Sequence, residues 1–248
     1  MHPDKAEAHL THGEKREFDA YAGAYESLLR DPLRDCFSSG KSGFFHQRKR
    51  DLIADRFARR SIDTRRWNYL DVGCGQGELL SLLSCSFATS TGCDPSAGML
   101  QQAGSGHIVL QQDALRLPFE GCTFDFLTAV CVYHHVPAQD RVALTREAYR
   151  VLKPGGTLCI IEHNPLNPIT RLIVARSPLD TDAHLLSHWN VRALMRDCDF
   201  DPEEMSFFMC LPEALYRRAR GLEDAFQWFP LGGQYAAFGR RPLPLTSS

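Results

Sequence analysis

The sequence lacks the features that mark membrane-embedded and exported proteins. Its 248 residues contain no apolar run close to the roughly 18 residues that a membrane-spanning helix needs. The N-terminal stretch, MHPDKAEAHLTHGEKREF, is charged and has no apolar segment of the kind found in signal peptides. These absences predict a cytoplasmic protein without a membrane span.

Paired cysteines are also absent, although cysteine itself is not rare. The nine cysteines form no CxxC pair, their number is odd, and several fall in apolar, strand-like stretches. A disulfide framework or a zinc site would need regular pairing. We therefore predict reduced thiols in the core and no metal site.

An excess of either charge is missing as well. Lysine and arginine total 28, aspartate and glutamate total 30, and the formal net charge is -2. Nonspecific attraction to nucleic acid needs a basic surface, so this balance predicts no nucleic-acid partner. The basic stretch HQRKR at 46–50 continues into the mixed-charge DLIADRFARR, which favours a solvated helix face over a phosphate-binding patch.

From Trp67 onward, the sequence contains a regular alternation of short apolar runs and helix-like stretches. The apolar runs are WNYLDVG, TSTGCD, HIVLQQD, FDFLTAVCV, TLCIIEH, MSFFMCL and YAAFGRR. Such alternation is typical of a mostly parallel sheet with helices on both faces. We predict a doubly wound α/β domain over residues 63–248, an N-terminal helical cap over 1–62, and a lid-like insertion at about 164–188.

The stretch YLDVGCGQGELL is the strongest motif in the chain. A strand ends at Asp71, and Gly73, Gly75 and Gly77 then lead into a helix. Glycines at such a turn let the backbone bend tightly and approach a ligand closely. A dinucleotide-binding fingerprint needs a further glycine where this chain has Glu78, which disfavours a nicotinamide-dependent oxidoreductase.

Acidic residues follow the next two predicted strands. Asp94 ends the second strand and Asp113 ends the third. One such residue is commonly a helix N-cap. Together with Asp71, however, they place three acids at the carboxyl ends of successive strands, where open α/β sheets bind their ligands. The sequence therefore predicts a ligand site at this edge.

In order and spacing, these motifs resemble those of the class I S-adenosylmethionine-dependent methyltransferases, in the group that includes ubiquinone-type methylases. The resemblance covers about residues 67–163 and rests on YLDVGCGQGELL, CDPSAGML, QQDALRLPF, FDFLTAVCVYHHV and YRVLKPGG. It implies S-adenosyl-L-methionine as cofactor. It also implies a Rossmann-like, seven-stranded sheet whose last strand is antiparallel.

The resemblance also implies which residues contact the cofactor. Asp71, Gly73 and Gly75 would surround its methionine part, and Asp94 would hold the ribose. Near the adenine, it implies Asp113 and Ala114. The remaining residues that we assign to cofactor binding are Pro95, Met99 and Val130.

Two adjacent histidines, His134 and His135, follow the fourth predicted strand. Methyl transfer from a sulfonium is an in-line displacement, so the protein supplies alignment and removes a proton where necessary. In the fold of this family the fourth strand ends beside the methyl group. We favour His134 as base or orienting group, with His135 as the alternative. The other interpretation is that both histidines pack or cap the helix that starts near Ala138.

The nature of the acceptor follows from patterns that are missing. Methylases of nucleic-acid amines often carry Asp/Asn-Pro-Pro-Tyr/Phe after this strand, and VYHHV is different. The acid and asparagine cluster of metal-dependent catechol methylases is not found. We therefore predict a small-molecule acceptor, methylated at oxygen, nitrogen or carbon. The alternative within the same fold is an inactive cofactor-binding module.

Two variable segments are predicted to cover the site. In the first, Phe18, Tyr21 and Tyr25 recur at helical spacing, which suits either a packing stripe or a lid. We assign Tyr21 and Tyr25 as lid candidates near the cofactor.

The second segment is the long, proline-containing stretch EHNPLNPITRLIVARSPLDTDAHLLSHW. Long insertions at the ligand edge are often lids. Its polar residues His163, Asn164 and Arg171 are the predicted contacts to the acceptor.

Overall fold

A computed structural model of the chain describes residues 18–39, 43–104 and 106–244. Its strands, in chain order, are β1 Asn68–Val72, β2 Thr89–Asp94, β3 His107–Leu110, β4 Phe124–Val130, β5 Leu152–His163, β6 Asp201–Phe208 and β7 Gln234–Arg240. They form one seven-stranded sheet in the order β3-β2-β1-β4-β5-β7-β6. β7 pairs antiparallel with both β5 and β6, whereas the remaining pairs are parallel. The predicted doubly wound sheet with an antiparallel last strand is confirmed.

Helices cover both faces of this sheet. In the described residues they are α1 Tyr25–Leu28, α2 Pro32–Ser38, α3 Gly43–Arg59, α4 Glu78–Leu83, α5 Ala97–Gln101, α6 Arg141–Val151, α7 Pro168–Arg176, α8 His188–Asp197 and α9 Glu213–Phe226. Neighbouring strand residues point to opposite faces, so the sheet feeds two cores. Leu70 and Leu127 pack with α6 and α8, whereas Tyr69 and Phe126 pack with α3 and α4.

The order of the strands determines where along the sheet a ligand site can lie. The chain runs outward from β1 through β2 to β3, then returns to β4 on the other side of β1. Between β1 and β4 the connections leave in opposite directions, which opens a crevice at their carboxyl ends. The glycine turn after β1 and the turn after β4 therefore border the same space.

Two strands end earlier than the sequence predicts. β3 ends at Leu110, so Asp113 lies in the following turn and not at a strand end. β4 ends at Val130, because Cys131 takes a positive φ of 57° that breaks the extended backbone. The two histidines therefore lie on a 3-10 turn, Tyr133–His135, and their directions do not follow strand alternation.

The expectation of a solvated basic face at 46–50 is wrong. Arg48 and Lys49, on α3, are only 4% and 6% exposed, because α3 packs under α9 and beside the ligand crevice. The Arg48 guanidinium donates to the Tyr216 hydroxyl at 2.5 Å and to Glu223 at 2.7 Å, and Glu223 is also buried. This pair ties the N-terminal helices to the C-terminal part of the chain.

All nine cysteines are free thiols, and Cys74, Cys93, Cys159 and Cys198 are buried. Among the described residues, no helix has both the length and the apolar character that crossing a membrane requires.

The buried Arg48–Glu223 pair generates a stability prediction. Arg48→Met should lower the free energy of unfolding by about 3–5 kcal/mol, because it leaves the Glu223 carboxylate buried without its cation. Urea denaturation measures this loss. The matched control is Arg65→Met, which breaks an ion pair to Asp63 on the exposed surface and should change stability little. Equal effects of the two substitutions would contradict the prediction.

Candidate functional site

Two connected cavities lie at the carboxyl edge of the sheet. The larger has a volume of about 450 Å³ and the smaller about 220 Å³. The residues that line both are Phe18, Tyr25, Gly73, Gly75, Met99, Val130, Cys131 and Leu179. The glycine turn thus stands at the junction of one elongated cleft.

The glycines of the turn keep this junction open. Gly73 and Gly75 have φ values of 68° and 54°, which side-chain-bearing residues rarely adopt. A Cβ on Gly73 would lie 2.5 Å from a methyl carbon of Val132, and one on Gly75 would lie 3.3 Å from Met99 Cε. Glycine therefore lets the turn adopt this backbone and pack closely against Val132 and Met99, which also line the cleft.

Two of the predicted acids border the cleft. The Asp94 carboxylate accepts hydrogen bonds from the Gly75 N–H at 2.9 Å and the Ser96 N–H at 2.8 Å, so it also fixes the glycine turn. Burial raises the pKa of Asp94, and these two bonds oppose the increase. Burial likewise raises the pKa of Asp71 to about 7, against a hydrogen bond from the Thr128 hydroxyl.

The third acid does not line the cleft. Asp113 is exposed, and its carboxylate accepts from the Leu115 N–H within its own turn. In its place Gln111 and Ala114 line the smaller cavity. The Gln111 amide donates to the carbonyls of Asp113 and Ala114, which fixes its orientation. Asp113 points away from the cleft because β3 ends early, so the residues after Leu110 no longer follow the strand's alternation of side chains.

Most of the other residues assigned to the cofactor line a cavity, and one does not. Pro95 lines the smaller cavity, and Met99 and Val130 line both. Of the two lid candidates, Tyr25 lines both cavities, whereas Tyr21 lines neither. Burial raises the pKa of Tyr25, so its hydroxyl stays protonated beside the cleft.

The first histidine is held between two carboxylates. His134 Nδ1 lies 2.5 Å from Glu162 Oε2, and His134 Nε2 lies 3.3 Å from Asp180 Oδ1. Burial opposes a charge on this ring, but the charges and hydrogen bonds of Glu162 and Asp180 raise its pKa well above the ordinary value. The two carboxylates therefore favour the imidazolium form of His134, which suits an orienting group better than a base, the two roles expected from the sequence.

The second histidine has the opposite electrostatics. Burial and the neighbouring His134 charge lower the pKa of His135 to about 4, and its ring meets the Phe18 ring edge-on at 5.2 Å. His135 lines the smaller cavity and His134 the larger. One ligand atom each from His134, His135 and Asp180 lies within 4.8 Å of the others, a set that could hold a metal ion.

Three further groups face the larger cavity, and the sequence analysis assigned only one of them, His163. Cys131 was interpreted as a core thiol, yet it lines both cavities. Burial raises its pKa, but Lys49 and His163 more than offset this and hold the pKa at about 7. Lys49 has no hydrogen-bond or ion-pair partner among the described side chains, although it is 6% exposed. A lysine inside a mixed-charge helix gives no local sign of such burial.

The two other predicted acceptor contacts lie elsewhere. Asn164 is fully buried, and its amide donates to the carbonyls of Pro230 and Gly232 while its oxygen accepts from Leu166 N–H. Arg171 is exposed and lines neither cavity. The insertion does border the larger cavity, through residues of α7 and the following turn.

The His134 environment generates a prediction about pH. The folded state keeps a proton on His134 above about pH 6.5, where the unfolded chain releases it. Wild-type stability should therefore decline, by up to about 1.4 kcal/mol per pH unit, as the pH rises from there through the raised folded pKa. Glu162→Gln removes the main cause of the raised pKa and should reduce this decline. Urea denaturation across pH measures it, and the difference between the two proteins cancels the other titrating groups.

The control is Glu120→Gln, which changes an exposed carboxyl away from the cluster and should leave the pH dependence at the wild-type level. An unchanged dependence in Glu162→Gln, or a neutral His134 by nitrogen NMR at neutral pH, would contradict the assignment.

Comparisons with known proteins identify the family. A family model described as a methyltransferase domain matches residues 70–160. A protein of Encephalitozoon cuniculi described as a methyltransferase is 30% identical over 60% of this chain and 74% of its own. The ubiquinone/menaquinone biosynthesis C-methyltransferase UbiE of Desulfotalea psychrophila is 31% identical over 62% of this chain and 59% of its own. A tRNA methyltransferase of Arabidopsis thaliana is 33% identical over 48% of this chain and 29% of its own.

The solved structures agree on the fold. An S-adenosylmethionine-dependent methyltransferase of Thermotoga maritima has a TM-score of 0.63 at 18% identity, and the alignment covers 91% of this chain and 99% of that chain. At this identity the likeness concerns the fold alone. The relative of Encephalitozoon cuniculi, at 30% identity over 74% of its own length, shows the family. The chain belongs to the class I S-adenosylmethionine-dependent methyltransferases.

Proposed function

We propose that this chain methylates a small organic acceptor at oxygen, nitrogen or carbon. The observation that carries the proposal is the elongated cleft. Its smaller cavity is lined by Asp94, Gln111 and Ala114, and its larger cavity, of about 450 Å³, is lined by Lys49 and His163 as well as by the glycine turn. One cleft thus has room for the cofactor and, next to it, for a second molecule.

The residues of the smaller cavity fit the nucleoside part of S-adenosyl-L-methionine. Gly73 and Gly75 line this cavity and have no side chain that would enter it. Asp94 is placed to accept from the ribose hydroxyls, and Gln111 and Ala114 border the base. When bound, the cofactor supplies a methyl group already activated on a sulfonium, so the protein's main task is alignment.

Lys49 fits the charged end of the same cofactor. Its charge lowers the pKa values of both Asp71 and Cys131, so its ammonium lies where β1 and β4 end. A buried ammonium without a protein partner is costly, and a bound carboxylate would neutralise it. Lys49 therefore holds the carboxylate of the methionine part.

The acceptor occupies the larger cavity beside His163 and Cys131. His134 does not contact the acceptor directly, because carboxylates engage both of its ring nitrogens. It positions Glu162 and Asp180 and contributes a fixed positive charge. His163 lines the cavity and serves as the group that orients the acceptor or takes its proton.

The assignment of Asp94 has a matched control in Asp113. Asp94→Ala should weaken adenosylhomocysteine binding by at least about tenfold, since charge-assisted hydrogen bonds contribute roughly 1.5–3 kcal/mol each. Asp113→Ala, at an exposed position outside the cleft, should leave the affinity nearly unchanged. Isothermal titration calorimetry on variants with wild-type circular dichroism measures both. A larger loss of affinity in Asp113→Ala than in Asp94→Ala would assign the cofactor contact to Asp113 and not to Asp94.

Lys49 has a test that separates the two ends of the cofactor. Lys49→Gln should weaken adenosylhomocysteine binding by about tenfold or more, because the carboxylate loses a charge-assisted partner. Methylthioadenosine has no such carboxylate, so its affinity should stay within about twofold of wild type, as expected where no charge-assisted partner is lost. Calorimetry with the two ligands gives the comparison. Equal losses for both would remove Lys49 from the carboxylate end.

Methyl transfer itself is tested with a labelled methyl donor and a panel of phenols, quinones, amines and tRNA. Turnover of an organic acceptor supports the proposal, and turnover of tRNA alone overturns its small-molecule part. Cofactor binding without turnover on any acceptor would favour the inactive module. Binding of NADH in place of adenosylhomocysteine would favour the oxidoreductase.

A further inference from the structure

Large apolar side chains are exposed in two segments, 166–172 and 215–231. They form what we call the apolar rim: Leu166, Ile169, Leu172, Leu215, Leu222, Phe226, Trp228, Phe229 and Leu231. Trp228 is 65% exposed and Leu231 is 61% exposed. Scattered exposed leucines are common on protein surfaces, but a concentration that includes three aromatic rings is not.

Hydrogen bonds hold the two segments of the rim side by side. The Asn167 side-chain amide donates to the Leu231 carbonyl at 2.7 Å, and the Asn164 amide donates to the Pro230 carbonyl at 3.0 Å. The Phe226 and Phe229 rings lie 6.2 Å apart, centre to centre. The rim is therefore a continuous surface built from α7, α9 and the loop after α9.

Helix α9 shows that the exposure is systematic. Its inner face places Tyr216 and Glu223 against Arg48. The helix is kinked at Ala219, where φ is -135°, and after the kink Leu222 and Phe226, four residues apart, share an exposed face. A helix on a fully solvated surface would carry polar side chains there.

The rim is continuous with the larger cavity. Ile169 and Leu231 are exposed on the rim and also line the cavity. Behind them, the wall of the cavity includes Ile173, Val174 and Met209. An apolar path thus leads from the outer surface toward His163.

The charges around the rim have one predominant sign. The exposed ionisable residues of segments 164–176 and 213–231 are Arg171, Arg176, Arg217, Arg218, Arg220 and Asp224. The chain as a whole has a net charge of -2, so this basic excess is local. Arg176, Arg217 and Arg220 pair with Asp31, Glu213 and Asp55, whereas Arg171 and Arg218 have no ion-pair partner among the described residues. Apolar and aromatic side chains surrounded by arginines are complementary to an anionic lipid interface.

We propose that the apolar rim docks this protein on lipid bilayers that carry anionic headgroups. The aromatic and aliphatic side chains enter the headgroup boundary, and the arginines contact the lipid phosphates. A second consequence rests on the proposed function and concerns the acceptor. The acceptor is an amphiphile: its apolar part enters from the bilayer past Ile169 and Leu231, and its polar head reaches His163.

The test is co-sedimentation of the full chain with vesicles of phosphatidylcholine, with and without phosphatidylglycerol. The protein should bind the anionic vesicles more tightly, and added salt should weaken this binding. The triple variant Phe226→Ser, Trp228→Ser, Phe229→Ser should lose at least about tenfold in partitioning, because three large apolar side chains no longer enter the interface. The matched control, Leu82→Ser, Trp189→Ser, Leu243→Ser, removes comparably exposed side chains elsewhere and should bind like wild type.

Absence of vesicle binding by wild type, or equal binding by the two triple variants, would overturn the proposal. A second result would also overturn the proposal: wild type binds no vesicles, but light scattering shows a concentration-dependent dimer that only the rim variant abolishes. The rim would then be a contact between two copies of the chain. Adenosylhomocysteine calorimetry on the same proteins keeps the two proposals separate. The rim variant should bind this ligand like wild type, and a wild type that fails to bind it would refute the proposed function and leave the vesicle result standing.

Discussion

The carboxylate of Glu162 lies fully out of solvent at the end of β5, and its neutralisation organises the ligand edge of the sheet. A buried carboxylate is tolerated only when it is paired and hydrogen-bonded. Glu162 accepts from the Tyr133 N–H at 2.7 Å and from His134, which in turn contacts Asp180. A single buried charge thus ties together β5, the turn after β4 and the segment after α7.

That network gives the two ends of the cleft different electrostatic characters. On the nucleoside side, Asp94 is satisfied by the backbone of the glycine turn, and His135 is neutral because burial and His134 disfavour a second charge. On the other side, Lys49 has no ion-pair partner among the described residues, and its charge lowers the pKa of Cys131. The charges that line the cleft therefore differ from one end to the other.

The N-terminal helices and the insertion after β5 form the outer part of this cleft. The N-terminal helices contribute Tyr25 and Lys49, and the insertion contributes Thr170 and Leu179. The buried Arg48–Glu223 pair links the N-terminal helices to α9, so the cavity wall and the apolar rim are held by one structural unit.

The sequence by itself determined the sheet, the glycine turn and the position of Asp94, because strand–helix periodicity and glycine spacing are local properties that backbone sterics enforce. Only the tertiary structure decided that Asp113 faces solvent, since this depends on where β3 loses its partner strand. It also decided that His134 is charged, because its partner Glu162 is 28 residues away in the chain. Lys49 became a site residue for the same reason. Whether a charged side chain is solvated or buried depends on which distant element packs over it, and no local pattern encodes that contact.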